Sequence, residues 1–330
     1  MEQWHRVVTL SDGVAMVVTD LHGDWDLYRR YRDWFLRQYE RGEVQYLIFT
    51  GDLIHQVEKD APDGSLQIVL DVSALQKTHP GAVIYLLGNH EMVHIYHVPL
   101  SKNDRVFTPA FEAAMGEHRP QVLELFAGLP FFVRTKAGVS VTHAGAAAAL
   151  SEDENVARVF AFDHRHVFER VDALLAGKDM ERLRQGYAHF SGIPYRTQAE
   201  RYFAVSSPDD PRYDDLLRGV YATSDPDFEL LWEVLFTRCE KEYGNGDYGI
   251  FLNALLVKLS HQFVPQQFLV AGHISVRKGA KVVSRRHLRI ASGVHAVPPA
   301  SAQVLLFDTG RTVRNIQSLR KGLRSMLDIR

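Results

Sequence analysis

Short apolar runs alternate with helical patterns along the first third of the chain. Val14 to Thr19 (Val-Ala-Met-Val-Val-Thr) predicts a buried strand, and Asp24 to Arg41 then places Leu27, Tyr31, Trp34, Phe35 and Gln38 at helical spacing. Gln45 to Thr50 predicts the next strand, Leu66 to Lys77 a helix ending before Pro80, and Ala82 to Leu87 a third strand. Such alternation argues for βαβ units, with a central sheet covered by helices. Phe107 to Leu129 is helical in pattern, and Phe131 to Thr135 with Val139 to Thr142 flank Lys136-Ala137-Gly138 as a hairpin. Residues 152–204 are charged and helical with no strand signal, which predicts a helical cap or insertion within a single domain spanning residues 1–330. Ser206 to Pro211 is a loop by its turn chemistry. Strands return at Phe268 to Ala271, Lys281 to Ser284, Leu288 to Ala291 and Gln303 to Phe307, which suits a second sheet packed on the first. Ser318 to Arg330 is basic and amphipathic and predicts a solvated terminal helix.

Composition narrows the class. The chain has 330 residues, 46% of them hydrophobic, enough for a sizeable core. A formal net charge of −2 gives no global basic field, so neither nucleic acid nor a membrane surface is expected as partner. The single cysteine, Cys239, excludes an internal disulfide framework and reads as a small buried hydrophobe. There is no long apolar stretch, and Met1 to Arg6 lacks a signal-peptide layout, so a cytoplasmic protein is expected.

Chemistry gathers at the strand ends. Asp20-Leu21-His22-Gly23, Gly51-Asp52, Gly88-Asn89-His90-Glu91, Thr142-His143-Ala144-Gly145 and Ala271-Gly272-His273 each close an apolar run. In α/β sheets, ligand sites collect at the C-terminal edges of the strands. Asp20, His22, Asp52, Asn89, His143 and His273 make a mixed oxygen and nitrogen donor set, suited to Zn, Mn or Fe rather than to an all-oxygen Ca site. Six donors are about what two ions need if positions stay open to water and substrate. Two such ions, roughly 3.5–4 Å apart, can clamp the oxygens of an in-line phosphoryl displacement. His90, beside a ligand, is placed to protonate a leaving oxygen.

In order and content these phrases resemble the motifs of the calcineurin-like metallophosphoesterases, over roughly residues 14 to 308. The resemblance is closest to the phosphoprotein-phosphatase (Ser/Thr phosphatase-like) branch, whose Ser-Asp-Pro-Asp stretch is matched by Ser224-Asp225-Pro226-Asp227. It implies two mixed β-sheets packed as a sandwich flanked by helices. It implies Asp20 and His22 on a first metal, Asp52 bridging, Asn89, His143 and His273 on a second, and His90 as general acid. The wider superfamily often has a second histidine two residues after the last one, where this chain has Ser275, again as in that branch. The implied activity is hydrolysis of phosphate monoesters, phosphoserine or phosphothreonine, by a hydroxide bridging two metals. A nucleotide or dinucleoside polyphosphate is the alternative substrate.

Two positions depart from the branch. Its second motif continues with an Asp that supports the general acid and an Arg that grips phosphate; here Gly51-Asp52-Leu53-Ile54-His55-Gln56 puts His55 and Gln56 there. A second gripping Arg aligns with Tyr248 in Asn245-Gly246-Asp247-Tyr248-Gly249. Neither Tyr nor Gln replaces a guanidinium fork. Asn89, His55 and Arg277 are therefore the candidate substrate contacts, Arg277 standing nearest a motif, with Arg105, Arg134 and Arg218 as other sources of charge. The missing arginines also motivate a rival reading, a non-catalytic metal-binding module. A zinc-protease reading rests on His90-Glu91-Met92-Val93-His94, formally H-E-x-x-H; it needs a helix, for which Gly88 and Pro99 leave little room, and it strands the other four phrases. His94 and His97 are expected to be structural or exposed.

Overall fold

A computed structural model describes residues 4–58, 60–102 and 104–329. Met1, Glu2 and Gln3 of the amino-terminal stretch, Arg330 of the basic terminal stretch, and the side chain of Asn245 lie outside the described residues. The chain divides into two compact units, the first formed by Met1–Asn89, Gly128–Phe162 and Leu230–Arg330, the second by His90–Ala127 and Asp163–Glu229.

The first unit holds two mixed sheets. One has five strands in the order Leu323–Ser325, Gln303–Asp308, Val14–Val18, Tyr46–Phe49 and Val83–Tyr85, the last three mutually parallel. The other has six, in the order Val7–Leu10, Phe132–Thr135, Val139–Thr142, Phe268–Ala271, His287–Ile290 and Ala280–Ser284. Its strands Val139–Thr142, Phe268–Ala271 and His287–Ile290 are again mutually parallel. Each sheet thus sends three strand ends to a common edge. Side chains alternate along a strand, so Ala15, Val17, Ile48 and Leu305 of one sheet meet Val139, Val141, Val270 and Leu288 of the other in one buried core. This is the predicted sandwich.

Local signals explain most of the elements. Helix Trp25–Glu40 starts where Asp24 accepts the Leu27 N–H and buries Leu27, Tyr28, Tyr31 and Phe35. The hairpin around Lys136-Ala137-Gly138 forms as expected, Phe132–Thr135 pairing antiparallel with Val139–Thr142. The 107–129 stretch breaks into helices Thr108–Met115 and Arg119–Gly128 at Gly116, whose φ is +46°. Helices Asp153–Phe160, His164–Leu175, Met180–Ser191 and Tyr195–Phe203 fill 152–204, as its pattern predicts.

Two expectations fail. The terminal stretch is not one helix: Ile316–Arg320 is a short helix, and Leu323–Ser325 adds to the five-stranded sheet by pairing with Gln303–Leu305. The sheet edge outcompetes an isolated amphipathic turn because it satisfies backbone groups that the turn leaves open. The second error concerns His90-Glu91-Met92-Val93-His94, which does lie in a helix, Asn89–Ile95. The protease reading fails for a different reason: His94 is fully buried and its Nδ1 sits 2.7 Å from the Glu112 carboxylate, so it is committed to a structural pair. His97 is likewise buried, with Nδ1 3.3 Å from an Arg119 nitrogen.

Candidate metal centre

The backbone itself is held away from its preferred conformations at the strand ends. Asp20 (φ +37°), His22 (+47°), Asp52 (+53°) and His273 (+72°) all lie in the left-handed region, at a cost of roughly 1–3 kcal/mol each for a residue with a Cβ. Such conformations persist only where surrounding structure over-determines them, and they concentrate at functional sites. Two glycines show the crowding. A Cβ on Gly51 would lie 2.5 Å from the Gly88 backbone, so the loops carrying Asp52 and Asn89 touch main chain to main chain. A Cβ on Gly272 would run into the Asp20 carboxylate, whose two oxygens accept the His273 N–H at 2.9 Å.

These loops bring all six sequence-predicted ligands into the first unit's strand-end edge. His143 Nε2 lies 2.9 Å from Asn89 Oδ1, 3.0 Å from His273 Nδ1 and 3.6 Å from Asp52 Oδ2, and His22 Nε2 is 3.9 Å from Asp52 Oδ2. Asp52, His143 and His273 offer donor atoms within 4.8 Å of one another, and so do Asp20, His22 and His295.

The outward side of each imidazole shows what the inward side is for. His143 Nδ1 faces the Thr50 carbonyl at 2.9 Å, His22 Nδ1 the Ile54 carbonyl at 3.3 Å, and His273 Nε2 the Phe236 carbonyl at 3.3 Å. A carbonyl only accepts, so each of those nitrogens carries the ring proton, and the other nitrogen of a neutral ring turns a bare lone pair inward. Metal-binding histidines are oriented in this way. Burial pushes His22 down to about 3 and His143 down to about 4, and takes His273 well below its usual range, so the rings stay neutral near pH 7. Burial alone would raise the Asp20 carboxyl, but the His295, His143 and His22 imidazoles hold it below the ordinary carboxylate range. Carboxylates and inward lone pairs are a donor set that fits cations of the Zn, Mn or Fe type.

A buried ion pair stiffens the frame. Arg289, fully buried, donates Nε and an Nη2 N–H to the two Glu240 carboxylate oxygens at 2.8 and 2.6 Å. It also donates to the carbonyls of Ala144 (2.9 Å) and Gly272, the residues flanking His143 and His273. Sequence reading missed it, since an arginine inside the strand His287–Ile290 carries no motif. It missed His295 too, although Ser292-Gly293-Val294-His295 follows a strand just as the recognised phrases do.

The remaining candidates sit on separate elements. His90 is the second residue of helix Asn89–Ile95 and its ring lies 5.8 Å from Phe107. His55 is buried at φ +70°, its N–H donated to Ser65 Oγ at 2.8 Å, and Gln56 is buried beside it. Arg277 is exposed in the short strand Val276–Arg277, paired with Ala296–Val297. Arg134 donates to Thr9 Oγ1 and to the Leu259 and His261 carbonyls, Arg218 pairs with Asp172, and Arg105 stacks on Phe107. Tyr248 is buried with its hydroxyl 2.8 Å from His287 Nδ1.

Inward donors on parallel strand ends of a two-sheet sandwich define a metal-dependent hydrolase. More particularly, the calcineurin-like phosphoesterase profile matches residues 14–204, and the chain belongs to that family; it is a metal-dependent phosphoesterase. No curated protein sequence matches the chain. Among solved structures, a point mutant of a cold-active protein tyrosine phosphatase is 14% identical with a TM-score of 0.51, covering 94% of this chain and 81% of its own. The cold-active protein-tyrosine phosphatase of a psychrophilic Shewanella is 15% identical (TM-score 0.47; 92% and 78% covered). A protein serine/threonine phosphatase from Saccharomyces cerevisiae is 14% identical (TM-score 0.47; 97% and 84% covered). No helix among the described residues is long and apolar enough to cross a membrane.

Proposed function

We propose that the chain hydrolyses phosphate monoesters, phosphoserine or phosphothreonine in proteins, at a centre of two transition-metal ions. The observation that carries this reading is the common orientation of His22, His143 and His273, each with its proton on a backbone carbonyl and its lone pair toward the carboxylates. Asp20 and His22 would hold one ion, Asn89, His143 and His273 the other, with Asp52 shared. When bound, such ions lower the pKa of a water and neutralise phosphate oxygens. Two carboxylates against two divalent ions leave a net positive site, which attracts a phosphate dianion even where Gln56 and Tyr248 replace arginine forks.

The chain's own residues do the rest. Asn89, with its amide N–H₂, and His55 position the phosphate, and Arg277 supplies an exposed charge toward the substrate's surroundings. His90, next in the chain after Asn89, donates a proton to the departing alkoxide. Ser224-Asp225-Pro226-Asp227 and Ser275 support the phosphoprotein-phosphatase branch. The helical stretch 152–204 is retained as an insertion within one phosphoesterase chain, and a single buried cysteine agrees with a cytoplasmic setting.

The test is metal content together with turnover. Wild type is expected to bind two ions per chain and to hydrolyse an aryl phosphate. Asp52→Asn should lose at least about a thousandfold in kcat/KM, roughly 4 kcal/mol, together with bound metal. His90→Asn should keep both ions and lose about 10²–10⁴-fold in kcat on alkyl phosphates, with a smaller loss on aryl phosphates, whose leaving group needs no proton. Equal, slow turnover by all three proteins would establish a non-catalytic module instead. A panel of phosphopeptides, mononucleotides and dinucleoside polyphosphates separates the substrate classes.

A further inference from the structure

We propose that His295 is an additional protein ligand of the first metal ion, beside Asp20 and His22, a role that rests on the two-metal reading above. Three parallel strands of the six-stranded sheet end at the site's edge. Val139–Thr142 leads to His143, Phe268–Ala271 to His273, and His287–Ile290 to His295.

The loop holding His295 is fastened to the strand end that carries Asp20. Thr19 N–H donates to Ser292 Oγ at 3.0 Å, Ser292 N–H donates to Thr19 Oγ1 at 3.1 Å, and the Tyr31 hydroxyl donates to the Ser292 carbonyl at 2.7 Å. A Cβ on Gly293 would sit 2.7 Å from the Asp20 carbonyl, so only glycine allows this approach. The far side is tied by Val276 N–H, which donates to the His295 carbonyl at 2.8 Å. The imidazole is thereby delivered to within 4.9 Å of the His22 ring, centroid to centroid.

The surroundings of its Nδ1 then separate a ligand from a structural histidine. His295 Nδ1 is buried, has no hydrogen-bond partner among the described residues, and stands 3.6 Å from Asp20 Oδ1. The chain's structural histidines are otherwise engaged: His94 Nδ1 closes on Glu112 at 2.7 Å, and His97 Nδ1, 3.7 Å from Asp215 Oδ2, is also met by an Arg119 nitrogen at 3.3 Å. Donors bound at about 2.0–2.2 Å to one ion instead stand roughly 3.0–3.7 Å apart. The second histidine that the wider superfamily carries after its last motif is Ser275 here, exposed; His295 brings an imidazole from a different strand end. With the shared Asp52, the first ion acquires two nitrogen and two oxygen ligands.

The test uses the full chain, stripped of metal, reconstituted with Zn(II) and dialysed, with bound zinc counted by elemental analysis. His295→Phe keeps a ring against His22 but removes Nδ1, and His295→Ala repeats the comparison with a smaller side chain. Circular dichroism of the metal-free forms checks that each folds. Wild type should retain two zinc ions. Each variant should retain one tightly and bind the other about 100-fold more weakly. Two ions held by both variants with wild-type affinity would overturn the assignment and leave the two-metal centre standing. A wild-type chain that holds no zinc or other transition metal would overturn the centre itself, and this assignment with it.

Discussion

Each unit buries a cluster of carboxylates and histidines, and the two clusters are built on opposite logic. In the second unit, Arg119 donates to Glu112 at 2.9 Å and to Asp215 at 2.8 Å, with His97 Nδ1 3.3 Å from its guanidinium, and His94 closes on Glu112. The cation is supplied by the chain, and the network is complete as it stands. In the first unit, Asp20 is met by the His273 N–H and by imidazoles, and the buried guanidinium of Arg289 is turned to Glu240 and to carbonyls. Burial of charge is therefore no pointer to function by itself. The pointer is burial of donors whose protons are all turned outward.

Removing one partner of each cluster breaks the comparison most sharply. Arg289→Met leaves Glu240 buried without its guanidinium and should destabilise the protein by about 3–5 kcal/mol. Because Arg289 also holds the carbonyls beside His143 and His273, metal affinity should drop about 10–100-fold. Denaturant unfolding and zinc titration measure the two effects, and an unchanged affinity would reduce Arg289 to a packing role. Chelation comes next. At a free metal concentration about 100 times Kd, metal removal should cost about 2.7 kcal/mol for each ion lost. Hydrogen exchange should locate that loss in the strands of the first unit, with the Arg119 network unaffected.

The sequence carries one cluster far better than the other. Asp20, His22, Asp52, Asn89, His143 and His273 were legible because strand ends are marked by apolar runs, and because a donor set imposes order along the chain. His295 escaped because Ser292-Gly293-Val294-His295 becomes meaningful only when His287–Ile290 is known to lie parallel to Phe268–Ala271. Arg289 escaped because it acts through carbonyls, which every residue has. The His90-to-His94 stretch lies in helix Asn89–Ile95 although Gly88 and Pro99 bracket it closely, because the strand ends early at Tyr85 and three residues suffice to turn the chain into the helix. The second unit's network was invisible for a plainer reason: Asp215 lies far from Arg119 in sequence, and Glu112 and Arg119, though only seven residues apart, fall in two different helices.

Smaller effects sharpen the contrast within the second unit. Glu112→Gln removes a charge-assisted contact and should cost about 2 kcal/mol, leaving bound metal at the wild-type level. Acid resolves the same network by sign. Burial alone would raise the Glu112 carboxyl, but His94 and Arg119 bring it down to about 2, against an ordinary 4.5. Its contribution is therefore complete above about pH 4.5 and is lost as pH falls toward 2. Burial pushes Asp215 the other way, up to about 6, Arg119 offsetting only part of the shift. Protonation of Asp215 is thus favoured by the fold between about pH 6 and 4, but burial of His97, pushed down to about 3 from an ordinary 6.5, opposes it over the same range and by the larger shift, so stability should fall as pH drops below about 6.5. The helices over 163–229 should accordingly be most protected from hydrogen exchange above about pH 6.5, with protection falling on the acid side. Glu112→Gln should flatten the part of that limb below about pH 4.5. A variant whose acid limb matched wild type would show that the Arg119 network is not what the second unit loses in acid.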